Sequence, residues 1–396
     1  MISEKMVDLV NNSSVIRAMF EEGKKMAAIY GAENVYDFSL GNPNVAPPAT
    51  VAKTIKELVD EDSQRLHGYM SNAGFEDVRE AICASLNRRF DTHFIAENII
   101  MTVGAAGGLN VIFRALLNPG DEVITFAPYF GEYRSYVRNY DGNLIAIAPD
   151  TTTFQPDLTA FEQAVTAKTK AVLVNTPNNP TGVVYSEDTI KKMAAIMEKK
   201  QQEYGTEIYL ISDEPYRELV YDGAFVPYLT KYYQNTIVGY SFSKSLSLPG
   251  ERIGYLVIPS EIDDYKMVQG AANVANRILG YVNAPSMFQL VVAKCIDEQT
   301  DVAYYDRNRE TLYNGLKDLG FSCIKPEGAF YLFVKSPIAD EKEFCKIAKK
   351  YHLLIVPGSS FGCAGFVRIA YCVSYETIVN ALPKFKELAE EIGLNR

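Results

Sequence analysis

Lys244 stands inside the stretch Ser241-Phe-Ser-Lys-Ser-Leu-Ser-Leu-Pro-Gly-Glu-Arg-Ile-Gly254, with hydroxyl residues on both sides and Arg252 a little further on. An amine that bonds a carbonyl carbon must be brought beside it, and a phosphorylated carbonyl compound needs hydroxyls and a cation around it. This stretch supplies all three. Most lysines are solvated surface charges, and it is the neighbourhood that sets this one apart. Residues 236–240 before it and 253–258 after it are apolar runs that read as short buried strands, so Lys244 is expected on a loop held between two strands.

Other polar residues gather at the ends of other apolar runs. Residues 171–175 lead into Thr-Pro-Asn-Asn-Pro-Thr-Gly182, and residues 208–212 end in Asp213-Glu-Pro-Tyr216. Taken alone, Asn-Pro is a common turn pair and Asp213 could cap a helix. Residues 98–103 read as a strand running into Gly104-Ala-Ala-Gly-Gly108, which opens a helix expected over 109–117. Free N–H groups and the positive end of the helix dipole make such a start an anion site, although the full dinucleotide fingerprint is missing. Arg368, set in the apolar strand 366–371, needs a buried anion. Ligands of open α/β sheets collect at the carboxyl ends of strands, where these loops lie.

The motifs Ser-x-Ser-Lys with Gly250-x-Arg252-x-Gly254, Asn-Asn-Pro-Thr-Gly at 178–182 and Asp213-x-x-Tyr216 resemble those of the class I and II aminotransferases of pyridoxal-phosphate fold type I, in particular the aspartate aminotransferase group. The matches run from Gly41 to Arg368. The resemblance implies an α/β fold type I PLP-transferase, with a large cofactor-binding domain built on a mostly parallel central sheet (47–282). A smaller α/β domain would come from both termini (1–46 and 283–396). It implies pyridoxal 5'-phosphate bonded to Lys244, its ring nitrogen paired with Asp213 and its ring oxygen held by Tyr216 and Asn179. Phe130 would stack on the ring, with Tyr133 nearby. Ser241, Ser243, Arg252 and the amides of Gly104, Ala105 and Ala106 would hold the phosphate. Relatives commonly carry a hydroxyl where Ala105 and Ala106 stand, so here amides would serve alone. Tyr69, in His67-Gly-Tyr-Met-Ser-Asn-Ala-Gly74, would reach the phosphate of a second subunit, making the protein a homodimer.

On the substrate side, the resemblance places Gly41 of Leu40-Gly-Asn-Pro43 beside the amino acid and Arg368 on its α-carboxylate. An acidic donor such as aspartate, paired with 2-oxoglutarate, needs a second cation, because a closed site without one would carry a desolvation cost of several kcal/mol. Arg277, before Tyr281-Val-Asn-Ala-Pro285, and Arg17, in Ser13-Ser-Val-Ile-Arg17, are the candidates. Alanine or aromatic aminotransferase, a β-lyase or decarboxylase of the same fold, and a non-catalytic regulator are the alternatives at this point.

Composition bounds the rest. A chain of 396 residues suits two domains. A net charge of −10 with no basic run argues against nucleic acid and anionic membrane as partners. The start Met1-Ile-Ser-Glu-Lys-Met-Val-Asp has no apolar core of a signal peptide, and no stretch is long and apolar enough to span a bilayer, so a cytoplasmic protein is expected. The cysteines, at 83, 295, 323, 345, 363 and 372, lack paired spacing and are accompanied by 3 histidines, which indicates neither a disulfide framework nor a metal site. Beyond residue 283 a long helical stretch over 286–318 is expected, then alternating strands and helices to the end.

Overall fold

The computed structural model describes residues 2–11 and 15–394. In chain order its strands are β1 (Tyr36–Asp37), β2 (Ile99–Thr102), β3 (Glu122–Phe126), β4 (Asn143–Ile147), β5 (Thr169–Asn175), β6 (Tyr209–Asp213), β7 (Thr236–Ser241), β8 (Gly254–Val257), β9 (Tyr331–Lys335), β10 (Leu353–Leu354), β11 (Val356–Pro357) and β12 (Phe366–Ala370). Seven of them form one sheet in the order β2-β8-β7-β6-β5-β3-β4. All its pairings are parallel except those of β8, which runs antiparallel to both β2 and β7.

The apolar runs are continuous because this sheet is covered on both faces. Every residue of β6 and β7 is buried. Tyr209 and Ile211 point to one face, where they pack with Val111 and Ile112 of helix Gly104–Leu116 and Val268 and Ala272 of helix Tyr265–Ile278. Leu210, between them, points to the other face and meets Ile190, Met193 and Met197 of helix Glu187–Tyr204. The strand period of two thus feeds two separate cores.

A further core lies under the antiparallel sheet β11-β12-β9. There Leu332 and Ile369 pack with Leu312 and Leu316 of helix Val302–Asp318 and with Ile378 and Phe385 of helix Tyr375–Glu391. β1 pairs in parallel with β10, which ties the chain's early segment to its late one. Helix Ser286–Lys294 joins the large sheet's neighbourhood instead: its Val291 and Val292 pack with Val51, Ile82 and Leu86.

Three local expectations change. The helix expected from 109 begins at Gly104, running through the glycines despite their cost of about 1 kcal/mol each against alanine. The reason is close packing: a Cβ on Gly108 would sit 3.3 Å from the Leu256 side chain of β8. The single stretch 286–318 is two helices, Ser286–Lys294 and Val302–Asp318, because the Asp301 side chain accepts the Tyr304 N–H and starts a new helix. Lys244 sits on one helical turn, Phe242–Ser245, rather than a loop, with Ser241 Oγ accepting from the Ser243 N–H at its start.

Candidate active site

The carboxyl ends of β2, β3, β5, β6 and β7 lie along one edge of the sheet, and each is followed by residues that meet there. Because β8 runs antiparallel to β7, the chain needs only residues 242–253 to pass between these neighbours, and that short link carries Lys244 and Arg252. Lys244 is half-buried, and its Nζ donates to the Gly41 carbonyl at 2.7 Å. Burial lowers its amine to about 8; Cys372 opposes this, while Arg252 and Arg368 push the same way.

Asp213 closes β6 and is 5% exposed. Its Oδ2 accepts from the Tyr133 hydroxyl at 2.5 Å, while its Oδ1 is buried without a hydrogen-bond partner among the described residues. Burial raises the carboxyl to about 7, the Tyr133 bond opposing and Glu214 adding to the rise. A buried carboxylate oxygen left bare is costly, and one facing a cavity calls for a donor from a bound group. Asn175, at the end of β5, holds the frame: its Nδ2 donates to the Asp213 carbonyl at 2.8 Å and its Oδ1 accepts the Asn179 N–H at 2.7 Å.

At the other end, Gly104 takes a left-handed φ of 69° and opens the helix that offers the Ala105 and Ala106 amides. The Arg252 guanidinium lies over it, 2.9 Å from where a Gly104 Cβ would stand. Arg252 is itself left-handed at φ 55° and is exposed, its Nη1 donating to the Pro249 carbonyl at 2.9 Å. Ser241 and Ser243 are buried and share a hydrogen bond of 2.7 Å. Two hydroxyls, a guanidinium and a helix start make one anion cradle.

Between these ends is a cavity of about 250 Å³, lined by Gly41, Ala105, Ala106, Phe130, Asn179, Asp213, Tyr216, Lys244 and Arg368 among others. Arg368, from β12, is 2% exposed. Its Nη1 donates to Asn179 Oδ1 at 3.1 Å and its Nη2 to the Ser39 carbonyl, and its Nε has no partner. No carboxylate pairs with it among the described residues, and burial lowers its pKa. Tyr216 is buried, its hydroxyl 2.8 Å from that of Tyr331.

Three sequence candidates stand apart from the cavity. Tyr69 is 96% exposed and Arg277 lies on the exposed side of helix Tyr265–Ile278. Arg17 falls within helix Val15–Tyr30, but its side chain lies outside the described residues. Conversely, Asn175 and Tyr331 line the cavity without having been singled out, and Tyr133 binds Asp213 directly. Asn175 carried a signal, a polar residue ending an apolar strand. Tyr331 carried none, since Phe330-Tyr-Leu-Phe333 reads as core.

Pyridoxal phosphate fits what is present: Asp213 Oδ1 awaits a proton donor, the cradle awaits an anion, and Lys244 lies between them. Among the described residues no cluster is arranged to hold a metal ion, and no helix is long and apolar enough to cross a membrane. The family profile for aminotransferase class I and II matches residues 33–385. The aspartate aminotransferase of Thermotoga maritima is 29% identical over 382 residues, covering 96% of this chain and 97% of that one. An amino transferase structure from Eubacterium rectale is 49% identical, with a TM-score of 0.96 over 100% of both chains. The Thermus thermophilus aspartate aminotransferase structure with maleate is 26% identical, with a TM-score of 0.87, covering 98% of this chain and 99% of that one. The chain belongs to the class I and II aminotransferases, enzymes that depend on pyridoxal phosphate.

Proposed function

We propose that this aminotransferase moves the amino group between an acidic L-amino acid such as aspartate and a 2-oxo acid such as 2-oxoglutarate. The observation that carries the amino-acid part of this is Arg368: a buried cation without a carboxylate partner among the described residues, in the same cavity as Lys244 and Asp213. It is the natural seat of the substrate's α-carboxylate, with Asn179 alongside and Gly41 leaving room. Pyridoxal phosphate, when bound, supplies a carbonyl carbon for the amine and a protonated ring that withdraws electrons from the substrate's Cα. Lys244 is the residue that would hold that carbonyl carbon and, when its amine is free, take up and return a proton at Cα; burial lowers the amine to about 8, so it gives up its proton more readily than an exposed lysine. Asp213 would keep the ring nitrogen protonated. Tyr216 and Asn179 would hold the ring oxygen, Phe130 would lie against the ring, and Ser241, Ser243, Arg252 and the amides of residues 104–106 would hold the phosphate.

A homodimer completes this reading. Exposed Tyr69 reaches the partner's cradle, and the exposed apolar stripe Met267, Val274 and Ile278 on helix Tyr265–Ile278 suits burial by a second copy. The large domain spans 47–282, and the small domain joins 1–46 to 283–396; the packing of Ser286–Lys294 favours moving the later junction toward 301. Free thiols fit a cytoplasmic location.

Acidic substrates have their support in the maleate held by the Thermus enzyme and in the Thermotoga relative's name. Lys244 and Arg368 are the cations lining the cavity among the described residues, so a distal carboxylate needs a further one, Arg277 brought by a partner subunit or Arg17 of the N-terminal stretch. A panel of amino donors on wild type, Arg277→Ala and Arg17→Ala checks this. One variant is expected to weaken aspartate and glutamate about 10²-fold while sparing alanine and phenylalanine, as loss of one charge-assisted pair implies. Equal effects on all donors would leave an alanine or aromatic aminotransferase as the better reading.

A further inference from the structure

Tyr331 occupies the junction of the site. It opens β9, is 2% exposed, and its ring stands edge-on to Tyr216 with centroids 5.7 Å apart. The Arg368 guanidinium lies 4.6 Å from its ring centre. On the remaining side it presses against Gly41, where any Cβ would collide with the Tyr331 hydroxyl, and the Gly41 carbonyl is the one that receives Lys244 Nζ. Among the described residues the Tyr216 and Tyr331 hydroxyls have each other as hydrogen-bond partners, at 2.8 Å.

A tyrosine hydroxyl has one proton to give and lone pairs to receive. Once Tyr216 gives its proton to the cofactor's ring oxygen, the proton of the bond between the two hydroxyls must come from Tyr331. Burial raises Tyr331 to about 12, against the pull of Arg368, so it keeps that proton at neutral pH. A hydrogen bond received by a donor polarises it and strengthens the bond it gives.

We propose that Tyr331 is a positioning residue for the transamination reaction: it donates to Tyr216, fixes that hydroxyl on the ring oxygen, and requires glycine at 41. The inference rests on the reading of Tyr216 as the ring-oxygen donor. Stronger donation stabilises the ring oxygen's negative charge, so the bound chromophore loses its proton at lower pH.

The test is a spectrophotometric pH titration of the visible absorbance of the cofactor-loaded protein in wild type, Tyr216→Phe, Tyr331→Phe and the double variant, with Gly41→Ala alongside. Tyr216→Phe should raise the midpoint by about one unit or more, as for a bond to a charged group, and Tyr331→Phe by about half a unit, as for a neutral one. The double variant should match Tyr216→Phe, and Gly41→Ala, which displaces the hydroxyl, should move the midpoint upward too. An unmoved midpoint in Tyr216→Phe would remove that residue's role and this proposal with it. A moved midpoint there, with Tyr331→Phe unmoved or adding its full shift in the double variant, overturns the role of Tyr331 alone.

Discussion

Two buried arginines sit in opposite circumstances. Arg309, in helix Val302–Asp318, reaches Asp222, Asp306 and Glu310 and gives a further hydrogen bond of 2.8 Å to the Pro326 carbonyl. Arg368, in β12, reaches an amide oxygen and a backbone carbonyl, and one of its nitrogens is bare. The first charge is neutralised within the fold; the second is left for something that arrives. Two neighbours at the end of β6 repeat the contrast. Glu214 is held by Ser212 at 2.7 Å and by Arg217, while Asp213, beside it, has one oxygen without a partner. Burying a charge unpaired is expensive, so where a fold tolerates it the partner is a ligand.

The contrast breaks most visibly at Asp213. Its folded pKa is raised, so in cofactor-free protein this group's stabilising contribution is full below about pH 4 and is lost as pH rises to about 7. The size is on the order of 4 kcal/mol. Asp213→Asn should flatten that decline in denaturant titrations run from pH 4 to 8, and loading the cofactor should flatten it in wild type. A decline of the same steepness in the variant would move the effect to another group.

The arginines make the next test. Arg368→Met should lower kcat/KM for every amino acid about 10²–10³-fold, the worth of a buried charge-assisted pair. It should leave cofactor-free stability within about 1 kcal/mol, because an unpaired charge is exchanged for apolar volume. Arg309→Met should do the reverse, costing about 1–3 kcal/mol after screening of its partly exposed carboxylates, with kcat/KM little changed. If both variants lost stability alike, the distinction between satisfied and waiting charges would fail.

Much of this was legible in the residues. Strands and their polar ends could be read because apolar runs buried on both faces stop where the chain meets a cavity. Lys244 and Arg368 stood out against such runs, whereas Asp213 and Asn179 looked like an ordinary cap and turn until their motifs were matched to the aminotransferases. Helix starts were less legible: glycines argue against helix, yet 104–108 are helical because β8 comes close, a tertiary fact with no local signature. Tyr331 was invisible for a similar reason. An aromatic residue in a strand normally means core, and only its meeting with Tyr216 and Gly41 across sequence separates it from the other 25 tyrosines of the 26. Arg277 and Tyr69 are exposed and away from the cavity, so the roles expected for them rest on the proposed homodimer.

The activity proposed for the cavity depends on Lys244 being the residue that bonds the cofactor, and borohydride reduction of the loaded protein followed by peptide mapping tests this most directly. The label should appear on Lys244 and be absent from Lys244→Ala, whose transamination should fall by at least about 10⁴-fold. A label on a different lysine, or one that persists in Lys244→Ala, would contradict it.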